Sequence, residues 1–127
     1  MKAVVTTKYG PPDVLELQEV EKPAPKEDQV LIRIHATTVT AGDCEMRSLD
    51  LPLGYQLILR MGFGFRGPRR KIQGSEVAGE IEAIGRDVKQ FKVGDQVFGS
   101  AGLRFGANAE YICLPDKPGE IDRKSVV

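Results

Sequence analysis

The 127-residue sequence has few cysteines, no excess of charge of either sign and no long apolar run. Its two cysteines, Cys44 and Cys113, lie far apart and form no metal-type pair. Without a framework of cysteines, a reduced, cytoplasmic protein is expected. Lys plus Arg equals Asp plus Glu, at 18 each, so the chain lacks the basic excess of a general nucleic-acid-binding protein.

The sequence also lacks the signals of a membrane or secreted protein. No segment reaches the ~18 consecutive apolar residues that a spanning helix needs. The chain opens with Met1-Lys2-Ala3-Val4-Val5, a strand-like run without the apolar core and cleavage site of a secretory signal. We therefore expect no membrane partner, and the length is that of one domain over residues 1–127.

Short β-branched and alternating runs dominate what is present. They are bounded by Gly, Pro, Asn and Asp, which is typical of strands. The runs are Val30–His35, Val77–Ile84, Gln96–Phe98 and Ala109–Leu114. Several such strands in about a hundred residues predict a mainly β fold, a small sandwich or barrel. Gly79, Gly85, Gly94 and Gly99 are interpreted as residues that make turns.

The segment Leu49–Ile72 interrupts this pattern. It is rich in Leu, Met and Phe and then becomes basic over Arg66–Lys71, which we interpret as a solvated face. A short helix is predicted over Leu57–Met61, ended by the glycines that follow. Gly62, Gly64 and Gly67 formally spell G-x-G-x-x-G, but they open no βαβ unit and are not interpreted as a dinucleotide site.

The order of the motifs carries a family resemblance over residues 1–118. The motifs are Met1-Lys2-Ala3-Val4, Tyr9-Gly10-Pro11-Pro12, Gln29–Thr40, Gly74-Ser75-Glu76-Val77-Ala78-Gly79, Val93-Gly94-Asp95-Gln96-Val97 and Gly106-Ala107-Asn108-Ala109-Glu110-Tyr111. In this order the sequence resembles the N-terminal half of the medium-chain dehydrogenase/reductase superfamily, in its quinone oxidoreductase-like branch. The resemblance implies a GroES-like, partly open barrel with short helices.

The resemblance also implies a site without zinc. Where zinc-dependent members carry a Cys ligand and a His ligand, this chain has Thr40 and Ser75, whereas Asp43 and Glu76 are kept. Neutral hydroxyls are poor ligands for catalytic zinc. Thr40 and Ser75 either donate hydrogen bonds to a substrate, with Thr40 beside the nicotinamide, or satisfy backbone groups. For Asp43 and Glu76 we expect buried carboxylates in a structural ion pair, for example with Arg47, rather than general acids.

The family's cofactor, NADPH or NADH, binds chiefly to a second, Rossmann-type domain. No such unit occurs in these 127 residues, so the chain is expected to be the catalytic domain, truncated before the cofactor-binding domain and inactive alone. The implied partner is a small-molecule quinone, enone or similar carbonyl, held against the cover formed by residues 49–65. Full-length relatives pair through the cofactor domain, which implies a homodimer.

Three alternatives stay open at this stage. A free-standing GroES-like binding or assembly module would share the fold. A zinc alcohol dehydrogenase with shifted ligands would use Cys44, Asp43 and Glu76, and would retain about one zinc per chain. A degenerate gene product that ends early at Val127 would have the same sequence pattern.

Overall fold

The computed structural model describes residues 1–117 and 119–123, and it is mainly β with two short helices. The strands are β1 (Lys2–Val5), β2 (Glu16–Glu19), β3 (Gln29–Thr37), β4 (Glu76–Ile84), β5 (Gln96–Ser100), β6 (Tyr111–Pro115) and β7 (Ile121–Arg123). The helices are α1 (Ala41–Ser48) and α2 (Leu53–Phe63). The mainly β fold with short helices is therefore confirmed.

Five strands form one open antiparallel sheet in the order β6-β3-β4-β5-β7. The core lies on one face of this sheet, because alternate residues of the long strands point inward. Its fully buried members include Val30 and Ile32 of β3, Ile81 of β4 and Leu114 of β6. These side chains fix the register of the strands whose ends carry the predicted site residues.

A separate antiparallel pair, β1–β2, is linked to the rest of the fold by two β-bridges. Val5 bridges to Ile72, and Ala3 bridges to Ala109, so the first strand joins two distant loops. Both Ala3 and Val5 are buried. The outer strand of the pair, β2, is exposed along its whole length, and for that reason the sequence offered no alternating pattern from which to predict it.

Two of the glycines interpreted as turn-makers lie inside strands instead, so that part of the interpretation is wrong. Gly79 is in β4, where a Cβ would stand 2.1 Å from the Arg33 carbonyl oxygen. Gly99 is in β5, where a Cβ would stand 2.2 Å from the carbonyl oxygen of Glu120. Their role is to allow close approach of a neighbouring strand. Gly94, with φ +94°, does make the predicted turn before β5.

The helices differ from the sequence-based expectation in number and extent. The helix predicted over Leu57–Met61 is α2, which begins four residues earlier, after Pro52, and ends at Phe63. Gly64 is its C-cap as expected, whereas Gly62 lies inside the helix. Helix α1 was not predicted. Its signal was present, because Thr40 and Asp43 have the spacing of a capping box. Among the described residues, no helix is long and apolar enough to cross a membrane.

The C-terminal residues also hold an element that the sequence analysis did not predict. Ile121–Arg123 forms β7, which pairs with β5 and buries Ile121 in the core. Three residues are too few to show a periodicity, so the pairing with β5 is what defines this strand. Residues 118 and 124–127 lie outside the described part of the chain.

Candidate functional site

The last residue of β3 and the first residues of β4 lie side by side at one end of these two paired strands. Thr37 pairs with Val77 in the antiparallel register, and the Thr37 hydroxyl donates a 2.7 Å hydrogen bond to the Glu76 carbonyl oxygen. Beyond Thr37 the chain continues to Thr38 and then to Thr40, which begins α1. The four predicted site residues, at positions 40 and 43 and at 75 and 76, therefore lie on two segments that the β3–β4 pairing joins.

Glu76 has a hydroxyl as its partner rather than a cation. The Thr38 hydroxyl donates a 2.7 Å hydrogen bond to Glu76 Oε2. Glu76 is exposed, and within residues 1–117 and 119–123 it takes part in no ion pair. The expectation of a buried, ion-paired Glu76 is therefore wrong, because Glu76 is the first residue of β4 and its side chain is exposed at the strand end.

Asp43 caps the N-terminus of α1 together with Thr40. Its Oδ2 accepts a 2.9 Å hydrogen bond from the Thr40 amide, and the Thr40 side-chain oxygen accepts one of 3.2 Å from the Asp43 amide. This reciprocal capping box satisfies two backbone donors at the start of α1. The expected ion pair with Arg47 is not formed, because the Arg47 Nε donates to the Gly10 carbonyl oxygen at 3.2 Å.

The capping box uses the side-chain oxygen of Thr40 but not its hydroxyl hydrogen. Its oxygen accepts the Asp43 amide, so the hydroxyl hydrogen remains available to donate. Thr40 is only partly buried. The structure thus supports a backbone role for Thr40 and leaves room for a second, outward contact.

Ser75 is held in place by its neighbours on both sides. Its carbonyl oxygen accepts a 2.6 Å hydrogen bond from the Ala101 amide. The preceding residue, Gly74, has φ +95°, and a Cβ there would stand 2.4 Å from Asn108 Oδ1. The same Asn108 oxygen lies 3.5 Å from the Thr37 hydroxyl. Glycine at position 74 is therefore required for the Asn108 side chain to lie against the β3–β4 junction.

A cavity of about 720 Å³ borders the Thr38–Glu76 pair. Its walls are formed by the ends of β3, β4 and β5 together with β7, and the exposed ring of Phe98 supplies an apolar surface. Of the four predicted site residues, Glu76 lines this cavity, whereas Thr40, Asp43 and Ser75 do not.

A second cavity, of about 570 Å³, lies between the helices and the basic loop. Arg69, Arg70 and the largely buried Gln73 give it polar walls. Its apolar side includes Met46 of α1 and the rings of Phe63 and Phe105, whose centroids are 5.9 Å apart. Gln73 lines the second cavity and Glu76 lines the first, so the short segment 73–76 contributes to both.

The structure does not gather the ligands of the shifted zinc site. Among residues 1–117 and 119–123, no three His, Cys, Asp or Glu side chains lie together as a metal site would need. Cys44 is exposed on α1, and Asp43 and Glu76 are each bound to a threonine. The His35 ring lies 4.0 Å from Glu80, at a bulge in β3, and is exposed.

Sequence reasoning missed Thr38 and Asn108 as members of this site. Thr38 belongs to the motif Gln29–Thr40 and Asn108 to the motif that begins at Gly106, and both are polar residues beside a strand end or a glycine loop. Their position next to the motif residues was the available signal. The sequence does not show which residue Thr38 contacts, because the β3–β4 register decides that Thr38 faces Glu76.

Comparisons with known proteins match this chain to the family that its motifs resemble. The family model for the alcohol dehydrogenase GroES-like domain matches residues 26–118. The quinone oxidoreductase of Lama guanicoe is 38% identical over 129 residues, covering 96% of this chain and 35% of the relative. An NAD(P)H oxidoreductase of Dictyostelium discoideum is 31% identical over 135 residues, covering 99% of this chain and 34% of the relative.

One of the similar solved structures is also a quinone oxidoreductase. The quinone oxidoreductase from Coxiella burnetii superposes with a TM-score of 0.78 at 30% identity, covering 98% of this chain and 37% of that one. The chain thus spans about a third of the length of the relatives that it matches. It belongs to the alcohol dehydrogenase GroES-like domain family, in the quinone oxidoreductase-like branch of the medium-chain dehydrogenase/reductase superfamily.

Proposed function

We propose that this chain is the substrate-binding, catalytic domain of an NAD(P)H-dependent oxidoreductase that reduces quinones, enones or similar carbonyls by hydride transfer without zinc. The observation that carries the proposal is the β3–β4 junction. There Thr38 holds the exposed Glu76 carboxylate beside a cavity, and the hydroxyl residues Thr40 and Ser75 stand on the two adjoining segments.

The donor set at this junction fits hydride transfer without a metal. Catalytic zinc needs thiolate, imidazole or carboxylate ligands, and two of the family's ligand positions here carry hydroxyls. A hydroxyl donates a hydrogen bond to an oxygen on which negative charge develops. Thr40 has a free hydroxyl hydrogen for this role, since its oxygen already accepts the Asp43 amide.

The junction also fits a flat conjugated ligand. When bound, the reduced nicotinamide supplies the hydride, and the protein supplies position and electrostatics. The cavity of about 720 Å³ has an exposed Phe98 ring on one wall and the Thr38–Glu76 pair on another. The ring packs against an aromatic or apolar surface, while the polar pair limits how the ligand is oriented.

Most of the cofactor contacts are proposed to come from a second, Rossmann-type domain of the whole protein. The chain spans about a third of its relatives, which include an NAD(P)H oxidoreductase. In the same proposal the whole protein is a cytoplasmic homodimer paired through that second domain. The helical segment 49–65, proposed as the cover of the substrate, lines the second cavity through Gly62 and Phe63 and does not border the cavity beside Glu76.

Turnover of NAD(P)H tests this proposal directly. The whole protein, with its second domain, is mixed with NADPH or NADH and either a benzoquinone or a simple enone. We expect oxidation of the nicotinamide that depends on the acceptor, and no turnover by the 127-residue chain alone. If the whole protein oxidises neither nicotinamide with either acceptor, the enzyme proposal is wrong and a binding or assembly role takes its place.

A further inference from the structure

Helix α2 is turned with its apolar face outward. Its half-buried residues are Gln56, Leu59, Arg60 and Phe63, two of them polar. Its exposed side carries Leu53, Leu57, Ile58 and Met61 at spacings of three and four, and each of the four is at least 46% exposed. A surface helix of a globular protein ordinarily places such residues against the core. The outward apolar face is therefore unpartnered among the described residues.

The space in front of this face is open. A Cβ added at Gly54 or at Gly62 would meet no atom within 4 Å, and both glycines lie on the same side as Ile58. Phe65, just beyond the helix, is also exposed and extends the face at its C-terminal end. We call these residues the α2 apolar face: Leu53, Leu57, Ile58, Met61 and Phe65. A contiguous exposed apolar surface of this kind marks an interaction site.

The charge beside this face is of one sign. Residues 51–75 contain no Asp or Glu, and they hold five cations in a chain whose total formal charge is zero. These cations, the basic cluster, are Arg60, Arg66, Arg69, Arg70 and Lys71. No member forms an ion pair with any residue in the described ranges, and four of the five are exposed.

The basic cluster lies at the C-terminal end of the α2 apolar face. The Arg69 amide donates a 2.8 Å hydrogen bond to the Phe63 carbonyl oxygen, which folds the basic loop back onto the end of the helix. Arg60 donates to the Phe65 carbonyl oxygen at 2.7 Å and stacks 5.1 Å from the Tyr9 ring. The apolar and cationic surfaces are thus parts of one continuous patch.

We propose that this patch docks the protein onto an anionic lipid surface. An interfacial helix buries its apolar face about 5–10 Å into the boundary between headgroups and acyl chains. Anionic headgroups at the same level attract neighbouring Lys and Arg side chains. A second copy of this chain packed through the same face would offer the basic cluster no anionic partner, because residues 51–75 contain no Asp or Glu, whereas anionic headgroups supply that charge.

The proposal concerns a surface contact, not a spanning segment. The expectation of no membrane partner rested on the absence of a long apolar run, and a helix that lies on a membrane needs none. The proposal uses the exposed side of α2, whereas the proposed function uses its inner side, where Phe63 lines the second cavity.

Co-flotation with lipid vesicles tests the proposal. The probes are vesicles of phosphatidylcholine with about 30% phosphatidylglycerol and vesicles of phosphatidylcholine alone, at low and at high salt. We expect the whole protein, with its second domain, to float with the anionic vesicles at low salt, and to remain in solution with the neutral vesicles. Salt should weaken the binding by screening the basic cluster.

Matched variants separate the two halves of the patch. Ile58→Gln should weaken binding at least tenfold, whereas the control Leu17→Gln, on exposed β2, should leave it unchanged. The pair Arg66→Gln and Lys71→Gln should weaken it about fivefold for each cation removed, whereas Lys89→Gln and Lys92→Gln should not. All of these side chains are exposed, so thermal melts are expected to confirm that each variant is folded.

Three outcomes would overturn the proposal. The first is absence of wild-type binding to anionic vesicles. The second is binding that Ile58→Gln leaves unchanged, or that neither the cation pair nor salt weakens. The third is self-association that Ile58→Gln abolishes in sedimentation while the vesicles stay bare, which would identify a second copy as the occupant of the face.

Discussion

The hydroxyl of Thr38 donates a 2.7 Å hydrogen bond to Glu76 Oε2, and this bond joins the end of β3 to the start of β4. It orients a carboxylate that would otherwise be free to rotate at an exposed strand end. The bond connects the fold to the proposed chemistry, because the same carboxylate borders the cavity where a conjugated ligand is proposed to bind.

Removing the Thr38 hydroxyl is expected to impair turnover more than folding. In the whole protein, Thr38→Val should lower kcat about fivefold to tenfold, the range expected for one lost hydrogen bond. The free energy of unfolding should hardly change, because Thr38 is exposed. Thr7→Val, another exposed threonine, is the control for kcat. Equal rates for Thr38→Val and Thr7→Val would show that the Thr38–Glu76 bond has no part in the reaction.

Thr40 is expected to contribute to stability through the capping box. Thr40→Ala removes the acceptor for the Asp43 amide, and should lower the free energy of unfolding by about 1 kcal/mol. Thr40→Ser keeps the oxygen and should restore most of that loss. Urea unfolding of the three proteins measures the difference. An alanine variant as stable as the wild type would mean that α1 does not depend on its cap.

Two glycine substitutions should change stability in opposite directions. Gly79→Ala places a Cβ 2.1 Å from the Arg33 carbonyl oxygen between two paired strands, and should destabilise the protein by several kcal/mol. Gly54→Ala lies in helix α2 and meets open space, so it should stabilise by about 0.5–1 kcal/mol. The comparison is made by urea unfolding. A tolerated alanine at 79 would disprove the close approach of β3 and β4 there.

The Lys22–Glu82 pair predicts a specific pH dependence. The Lys22 ammonium lies 2.5 Å from Glu82 Oε2, and this hydrogen bond lowers the pKa of the Glu82 carboxyl below 4.5 and raises the pKa of Lys22 above 10.5. The pair's contribution is therefore present between those values. It is lost as the pH falls through the folded pKa of Glu82, or rises through that of Lys22.

A variant isolates this contribution. The stability difference between wild type and Glu82→Gln should be small, because both side chains are exposed, and constant near neutral pH. It should shrink to nothing in acid as Glu82 becomes protonated. Unfolding curves across the acid range measure it. A difference that persisted below the folded pKa of Glu82 would show that the charge of Glu82 is not its source.

The strands that could be predicted are those with one buried and one exposed face. In β4, Val77 and Ile81 alternate with polar residues, and the run was readable from the sequence alone. β2 is exposed throughout and β7 has three residues, so neither shows an alternation of apolar and polar residues. Tertiary pairing defines both strands, and pairing partners are not visible in a local pattern.

The family motif named Thr40, Asp43, Ser75 and Glu76 as site residues, and their role in a site stays a prediction. The β3–β4 junction does bring their segments together, but their contacts differ from those expected. The expected ion pairs failed for a local reason, since a carboxylate three residues after a threonine at a helix start is used for capping. The partner of Glu76 depended on strand register, which the sequence does not display.

Metal dependence of the whole protein's turnover is the most direct test of the central claim. The rate of NAD(P)H oxidation with a quinone or enone is measured before and after dialysis against a chelator, and zinc content is determined on the same samples. The account predicts an unchanged rate and no stoichiometric zinc, because hydroxyls occupy the ligand positions at Thr40 and Ser75. A rate that is lost on chelation and restored by zinc would contradict it.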